Sequence, residues 1–336
     1  MEPQEEDSDD YSLGASLSPI EAICSPEWAG KRLDWALARL LPRYSRSRLQ
    51  AWIKAGFLML DGEVVTEIRH KLKGNETFLL RPQRAAEDLP AEPEAIPLDI
   101  RYQDSQLLII DKPAGLVVHP GSGNWQGTLL NALLHLDPML AQIPRAGIVH
   151  RLDKETSGLL VVARTLTAQT HLIRQLQAHS VKREYLAVVV GEVRRDAEID
   201  APIGRHPVER TKMAVTTQGK PAITHYRIER RFPGATLLRC ALETGRTHQI
   251  RVHLAHLGHP LLGDPVYGRA RPNLPAFPRQ ALHACRLALT HPGTGEILCR
   301  ESALPDDMAN LLLALEALRD KGESDGVNVP GFEVRP

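Results

Sequence analysis

The segment GIVHRLDKETSGLLVVART, Gly147 to Thr165, crowds His150, Arg151, Asp153, Lys154 and Glu155 into a short polar window. An apolar, β-branched run follows, Leu159 to Ala163, and reads as a buried strand. Charged groups beside a buried strand cost free energy unless something pairs or uses them. The window therefore marks a candidate centre for acid–base or nucleophilic chemistry, without saying which of its members acts. Glu155, two residues beyond Asp153, should point elsewhere along a turn. That leaves one carboxylate, where glycoside hydrolysis normally needs two.

Two further clusters carry chemistry-bearing side chains. THQIRVHLAHLGHP places His248, His253, His256 and His259 close together. On a helix 253 and 256 share a face, but Gly258 should break the helix before His259, and no Cys or carboxylate lies within it. The cluster reads as polar, partly cationic lining of a polyanion groove rather than as a metal site. IGRHPVERTKMAV, Ile203 to Val215, carries Arg205, His206, Arg210 and Lys212 between strands and reads as a basic hairpin suited to phosphates. There is no G-x-x-x-x-G-K-[ST] loop, no G-x-G-x-x-G fingerprint, no G-x-S-x-G elbow and no zinc-deaminase pattern.

The charges are unevenly spread, although the chain of 336 residues is neutral by count. Residues 1–10 hold six acids and no base, Lys31 to Arg84 twelve Lys/Arg against five acids, and Arg145 to Arg251 nineteen against ten. Two basic blocks beside an acidic tail suggest a polyanion partner, solvated basic faces being the plainer reading. Cys24, Cys240, Cys285 and Cys299 form no C-x-x-C pair, which argues against a zinc ribbon or disulfide framework and fits a reducing compartment. No apolar run approaches membrane-spanning length and the N-terminus is acidic, so the expected location is the cytoplasm, with no membrane partner.

Elements must position these residues. Residues 1–18 read as an acidic disordered tail. Leu33, Ala36, Leu37, Leu40 and Leu41 fall on one helical face, ended by Pro42. A second short helix carries Leu49, Trp52 and Ile53, with Ser45 or Ser47 as its cap and Gly56 as its stop. FLMLDGEVV is a hairpin around Asp61-Gly62, and Lys71 to Leu80 a further turn and strand. Arg43, Arg46, Arg48 and Lys54 cluster around the second helix. With YSRSRLQAWIKAGFLMLDG, this module (19–82) resembles the S4 RNA-binding domain, which lays that helical pair against structured RNA. A packing or dimerisation module is the plainer alternative.

Residues 83–97, with Pro90, Pro93 and Pro97, read as a linker to a larger domain over 98–318, followed by a polar tail, 319–336. In that domain DSQLLIIDKPAGLVVHPG reads as two strands around a Pro-Gly break. GTLLNALLHL reads as a helix capped by Thr128. Further strands are predicted at 159–164, 183–190, THYRIERRF and TLLRCALE, and helices at 166–178, at THQIRVHLAHLG capped by Thr247, and at 307–318. The elements do not alternate as βαβ, so the expected fold is α+β, a mixed, mainly antiparallel sheet with flanking helices.

HRLDKETSG, KREYLAVVVG, GRTHQIRVHLAHLGHPLLGDPVYG and RQALHA, in that order, resemble the motifs of the RluA-type RNA pseudouridine synthases. With the S4-like module, the resemblance covers about Gly30 to Leu318. Asp111 in DKP and Ser157 in ETSG depart from the family pattern without touching a residue given a chemical step. The family isomerises uridine: the C1′–N1 bond breaks, the uracil turns, and C5 bonds to C1′. No redox step is involved and no cofactor is implied.

By that resemblance Asp153 is the catalytic aspartate, attacking C1′ or C6 or taking the C2′ proton. Arg251 is its cationic partner, favouring the ionised carboxylate. Tyr185 stacks on the uracil and serves the proton transfer at C5. Arg151 fills the space left by an everted uridine, and Leu282 packs on the uracil face. Thr156 and Gly158 shape the loop, Gly158 where backbone and substrate approach closely, and His150 is a satisfied buried imidazole. Plainer roles are a groove arginine for Arg251, a core tyrosine for Tyr185 and a salt bridge to Glu155 for Arg151.

The implied partner is 23S ribosomal RNA, free or in an assembling large subunit, modified by a stand-alone monomer. The implied targets are loop uridines of a stem-loop at the subunit interface. The alternatives are a sibling enzyme acting on other uridines of the same RNA, an RNA-binding assembly factor, or a glycosidase.

Overall fold

The computed structural model describes residues 19–42, 44, 46–82, 91–121, 124–209, 211–269 and 271–325. The tail 1–18, Arg43, Ser45, the linker residues 83–90 and Arg210 lie outside the described residues. The chain divides into two compact units, Met1–Pro90 and Ala91–Pro336.

In the first unit the elements are β1 (Ile20–Ile23), α1 (Leu33–Leu40), α2 (Arg46–Lys54), β2 (Leu58–Leu60), β3 (Glu63–Val64) and β4 (Thr77–Leu80). The strands form an antiparallel sheet in the order β1-β4-β2-β3. The apolar stripe of α1 buries Leu33, Ala36 and Leu37 with Leu49, Trp52 and Ile53 of α2 and Leu58, Leu60, Phe78 and Leu80 of the sheet. Asp61 and Gly62 both take positive φ (48° and 83°), as the tight primed turns that join such strands require. Ser47 lies inside α2 rather than capping it. One charge sits at the centre of this unit. Asp34, its side chain 0% exposed, accepts hydrogen bonds from Arg32 (3.0 Å), Arg46 (2.9 Å) and Gln50 (2.7 Å).

The second unit carries β5 (Asp99–Gln103), β6 (Leu107–Lys112), α3 (Leu129–Leu136), β7 (Ser157–Ala163), α4 (Leu166–Gln177) and β8 (Lys182–Val190). It continues through β9 (Ala197–Asp200), β10 (Ile203–Arg205), β11 (Met213–Val215), β12 (Ile223–Phe232) and β13 (Ala235–Leu242). It ends with α5 (Gln249–His256), β14 (Leu282–Thr290), β15 (Ile297–Glu301) and α6 (Asp306–Asp325). A nine-stranded sheet runs in the order β5-β6-β7-β14-β8-β13-β12-β9, with β15 on β14, while β10 and β11 form a separate ribbon. Only the β7–β14 pair of the described sheet is parallel. The fold is therefore α+β with a mainly antiparallel sheet.

The centre of the sheet is covered on both sides, and this explains its continuous apolar runs. Leu108, Ile110, Leu160 and Val162 pack under α3 with Leu129 and Leu133. Leu107, Ile109, Leu159 and Val161 pack on the other side with Ala168 and Leu172 of α4. Thr128 caps α3 in a reciprocal box with Asn131. Residues 91–97 are held to this unit, since Asn131 Nδ2 donates to the Glu92 carbonyl (2.7 Å) and the Gly127 N–H to the Glu94 carboxylate (2.9 Å).

Several sequence expectations need correction. LVV at 116–118 is not a strand, and only Val117 bridges Thr128. The N-cap of α5 is His248 in a left-handed conformation (φ 56°, ψ 23°), not Thr247. The last helix runs to Asp325, beyond the expected end at 318. Gly158 (φ 111°) is required by a different neighbour than substrate. A Cβ there would lie 2.3 Å from the Ala284 carbonyl, because β7 and β14 close together at that point.

Where β6 ends, Lys112 is fully buried and donates to the carbonyls of Pro113 (2.7 Å), Leu116 (2.9 Å) and Lys154 (2.9 Å). Burial pulls its pKa down to about 7, while three carbonyls, one for each ammonium hydrogen, favour the charged form.

Two expectations follow. Lys112→Met should lower stability by about 3 kcal/mol in denaturant titrations, because three carbonyls lose their donor and the sheet loses its tie to the loop at 154. For Asp34, burial opposes the charge, but bonds from Arg32, Arg46 and Gln50 bring the pKa from 3.8 to about 2. A carboxyl whose folded pKa lies below its unfolded value stabilises above the unfolded value and loses this as pH falls to the folded one. Asp34→Asn should therefore destabilise the chain at pH 7 by on the order of 1 kcal/mol after solvent screening. The difference from wild type should disappear as pH falls from about 4 to about 2, as followed by hydrogen exchange of the α1 amides.

Candidate active site

The polar window forms a loop from His150 to Thr156 that leads into β7, and its backbone is held from several directions. The Thr156 N–H closes a turn on the Asp153 carbonyl (3.0 Å). Gly115 N–H (2.9 Å) and Lys112 both reach the Lys154 carbonyl. Arg279 donates to the Glu155 carbonyl (2.9 Å) and, from its other side, pairs with Asp307 at the start of α6 (2.7 Å). Gln280 donates to Thr156 Oγ1 (3.2 Å), and Ser157 Oγ pairs with His283 Nδ1 (3.0 Å). His150 accepts the Val161 N–H at 3.0 Å; burial, then Arg183, drives its pKa down to about 3, so it stays neutral. Buried backbone acceptors need donors, and here the donors fix the path of the loop.

Asp153, partly exposed, meets Arg251 of α5 with one oxygen: Nη1 to Oδ2, 2.9 Å. Arg251 is 4% exposed and gives its Nε and Nη2 to a second carboxylate, Asp264, at 2.7 and 2.9 Å. Asp264 also accepts the N–H groups of Val266 and Tyr267. Burial works against the Arg251 charge, but the two carboxylates outweigh it and raise its pKa. Burial likewise opposes ionised Asp264, and Arg251 with the two amides outweighs that, so Asp264 is held ionised. Asp264 has both oxygens committed and is buried, so it is no free acid for a hydrolytic reaction.

These groups open on a cavity of about 890 Å³ that holds Asp153, Arg251, Tyr185 and Leu282 together with Arg151 and His248. Tyr185, on β8, is 6% exposed, and burial raises its pKa, keeping the phenol protonated. Leu282, 4% exposed, enters from the first residue of β14. Arg151 is exposed and forms no salt bridge with Glu155 among the described residues. The structure thus brings the expected catalytic set Asp153, Tyr185 and Arg251 into one cavity with Arg151 and Leu282.

Other expected binding residues lie apart. Arg205 is exposed at the end of β10, and Lys212 precedes β11 and pairs with Glu209 (2.5 Å). In the S4-type unit Arg48 lies half-buried on α2, and Arg46 is held on Asp34.

The histidine cluster does not line a groove as a group. His253 is buried and bonded to Thr224 (2.9 Å) and the Ala201 carbonyl (2.8 Å), and His259 Nδ1 lies 3.0 Å from the Val190 carbonyl. His253 alone of the four is fully buried, and His248 alone of the four lines the cavity.

Sequence reasoning missed Asp264, Lys112, Arg279, Gln280 and Tyr267 as supports. A signal existed for Asp264, because a buried arginine requires more than one acceptor and GDPVYG offers the nearest carboxylate downstream of α5. Arg183 also lines the cavity. It donates to the Glu243 carbonyl (3.0 Å), while its buried Nε has no hydrogen-bond partner.

Comparison with known proteins gives the same picture. The family described as RNA pseudouridylate synthase matches residues 106–256, and the S4 domain matches residues 31–78. "Ribosomal large subunit pseudouridine synthase D" of Nitrosomonas europaea is 57% identical over 305 residues, covering 89% of this chain and 88% of its own length. The protein of the same name from Xanthomonas campestris pv. campestris is 51% identical over 319 residues, covering 92% and 96%. Among solved structures, "Human RNA Pseudouridylate Synthase Domain Containing 4" superposes with a TM-score of 0.52 at 26% identity, covering 65% of this chain and 93% of its own. A buried arginine shared by two carboxylates, a protonated tyrosine in the same cavity and these full-length similarities agree: the chain belongs to the RNA pseudouridine synthase family, with an S4 domain ahead of its catalytic domain.

Proposed function

We propose that this protein, acting alone, converts specific uridines of 23S ribosomal RNA to pseudouridine, at loop positions of a stem-loop at the subunit interface, with Asp153 as the reacting carboxylate. The carrying observation is that Asp153 lines the cavity with one oxygen on Arg251, together with Tyr185 and Leu282. The relatives' names support ribosomal RNA of the large subunit as the substrate class.

The geometry suits an everted nucleoside. Extrusion of a stacked uridine costs a few kcal/mol, and exposed Arg151 at the mouth can hold the gap it leaves. The uracil lies against Tyr185 and Leu282, with its sugar toward Asp153. The carboxylate breaks the C1′–N1 bond by attack at C1′, by addition at C6, or by removing the C2′ proton. The base turns and C5 bonds to C1′; the C5 proton is relayed through the Tyr185 hydroxyl, which hands its own proton on as it accepts this one, and N1 gains a proton. Atoms and electrons are conserved, so the isomerisation calls for no cofactor. Arg205 and Lys212 of the β10–β11 hairpin, with Arg210 from the sequence between them, serve phosphate contacts, and Arg43, Arg46 and Arg48 serve contacts of the S4 domain with structured RNA.

Asp153→Asn keeps the shape of the site and should abolish conversion, by on the order of 10⁴-fold or more in single turnovers. If ribosomal RNA from cells relying on that variant still carries its pseudouridines, the assignment fails. The double change Arg205→Ala and Lys212→Ala should behave differently. RNA affinity should fall and the slope of log K against log salt should flatten by about one to two, with the rate at saturating enzyme unchanged. Titrations across a salt series test this.

A further inference from the structure

His248 stands between the RNA-gripping ribbon and the reacting carboxylate. Its Nδ1 lies 2.9 Å from the hydroxyl of Tyr267, and that hydroxyl accepts the N–H of Met213, the first residue of β11, at 3.0 Å. Its Nε2 faces Asp153 Oδ1, the oxygen that Arg251 does not hold, at 3.9 Å. The two rings meet edge to face at 5.7 Å, and the Tyr267 ring lies under the Arg251 guanidinium at 5.2 Å. The imidazole is therefore oriented from two sides.

From this arrangement we infer that His248 is a positioning residue for Asp153, donating from Nε2 toward its free oxygen, with its tautomer set by Tyr267. The inference rests on Asp153 being the reacting group.

The hydrogen accounting carries it. Burial keeps the His248 ring mostly neutral, against the pull of Asp153, and a neutral imidazole has one N–H. With the hydrogen on Nδ1, the bare Nε2 lone pair would face a carboxylate. With the hydrogen on Nε2, Tyr267 donates to Nδ1 while still accepting from Met213, and every group has a complementary partner. At 3.9 Å the donor is one small shift, or one bridging water, from bonding distance.

The backbone gives an independent sign. His248 holds φ 56° and ψ 23° at the head of α5, and its side chain makes no cap bond. A non-glycine residue in this region is strained. The residue forgoes both relaxed backbone and a capping role, and its ring points into the cavity instead. Because Tyr267 binds Met213, the same relay joins the orientation of His248 to the ribbon that meets RNA.

The test uses the full-length protein and a 23S ribosomal RNA transcript tritiated at uridine C5, since the label leaves as C5 bonds to C1′. His248→Gly removes the ring but suits the left-handed backbone. It should leave the melting temperature unchanged or higher and RNA affinity within about twofold, while the single-turnover rate falls about 10–100-fold. His248→Gln, which retains an N–H near the Nε2 position, should recover to within about fivefold of wild type. Tyr267→Phe should slow wild type about 5–10-fold and add nothing in the His248→Gly background.

A wild-type rate for His248→Gly, a loss confined to affinity, a glutamine no better than glycine, or multiplying effects of the two changes would overturn the inference. An active Asp153→Asn would instead overturn the reading on which it rests.

Discussion

The site depends on one buried guanidinium shared between two carboxylates. Arg251 is removed from water and must be fully paired. Asp264 takes Nε and Nη2 in a two-pronged bond and forms with it a pair of zero net charge, leaving Nη1 for Asp153. Had Arg251 only Asp153 to pair with, the two would form an inert salt bridge with the reactive oxygens occupied. With Asp264 present, Asp153 is oriented through a single contact and not neutralised, so its second oxygen remains an acceptor facing the cavity. The Asp264 carboxylate is structural, and that of Asp153 keeps one oxygen off the guanidinium.

This economy works only if the Asp153 loop cannot move away. Its short polar sequence has little apolar surface of its own, so it is held, through its carbonyls and through the hydroxyls of Thr156 and Ser157, by side chains from elsewhere. Lys112 comes from the end of β6, Arg279 and Gln280 from the segment before β14, and His283 from β14. The parallel closure of β7 on β14 at Gly158 brings those donors within reach. A side chain at that position would push the strands apart and carry Arg279 and Gln280 away from the loop. The unusual strand pairing and the chemistry are thus linked by one missing Cβ.

Much of this was legible in the sequence, and the residues show why some was not. The stripe of α1, the Asp61-Gly62 hairpin, the buried run of β7 and the Thr128 cap are set by contacts within a few residues, and periodicity reads them directly. β14 was hidden, because LHACRLALT mixes a histidine, a cysteine and an arginine into a strand whose partners β7 and β8 lie about a hundred residues away. Thr247 is the better cap by local preference, yet the chain caps α5 with His248, since the cavity and Tyr267 fix that ring. His253 looked like groove lining because its helical spacing was right. Its burial against Thr224 and Ala201 depends on which sheet α5 meets, and no local pattern encodes that. The family motifs placed Asp153, Arg251 and Tyr185, whereas their supports emerge only when charges and hydrogens are accounted for in three dimensions.

The neutral total of the chain also has a local meaning at the cavity. Exposed Arg145 and Arg151 and half-buried Arg246 line its outer part, and His119 adds no charge there, because burial and then those arginines bring its pKa to about 4. Deeper in, the carboxylates of Asp153 and Asp264 are balanced by buried Arg251 and Arg183. A polyanion is drawn to the outer arginines, whose charge is not balanced there, while the balanced interior offers its phosphates no comparable attraction. Such a gradient favours phosphates outside and uncharged groups within. The change from positive outside to balanced inside takes place within a few residues of sequence, between Arg151 and Asp153.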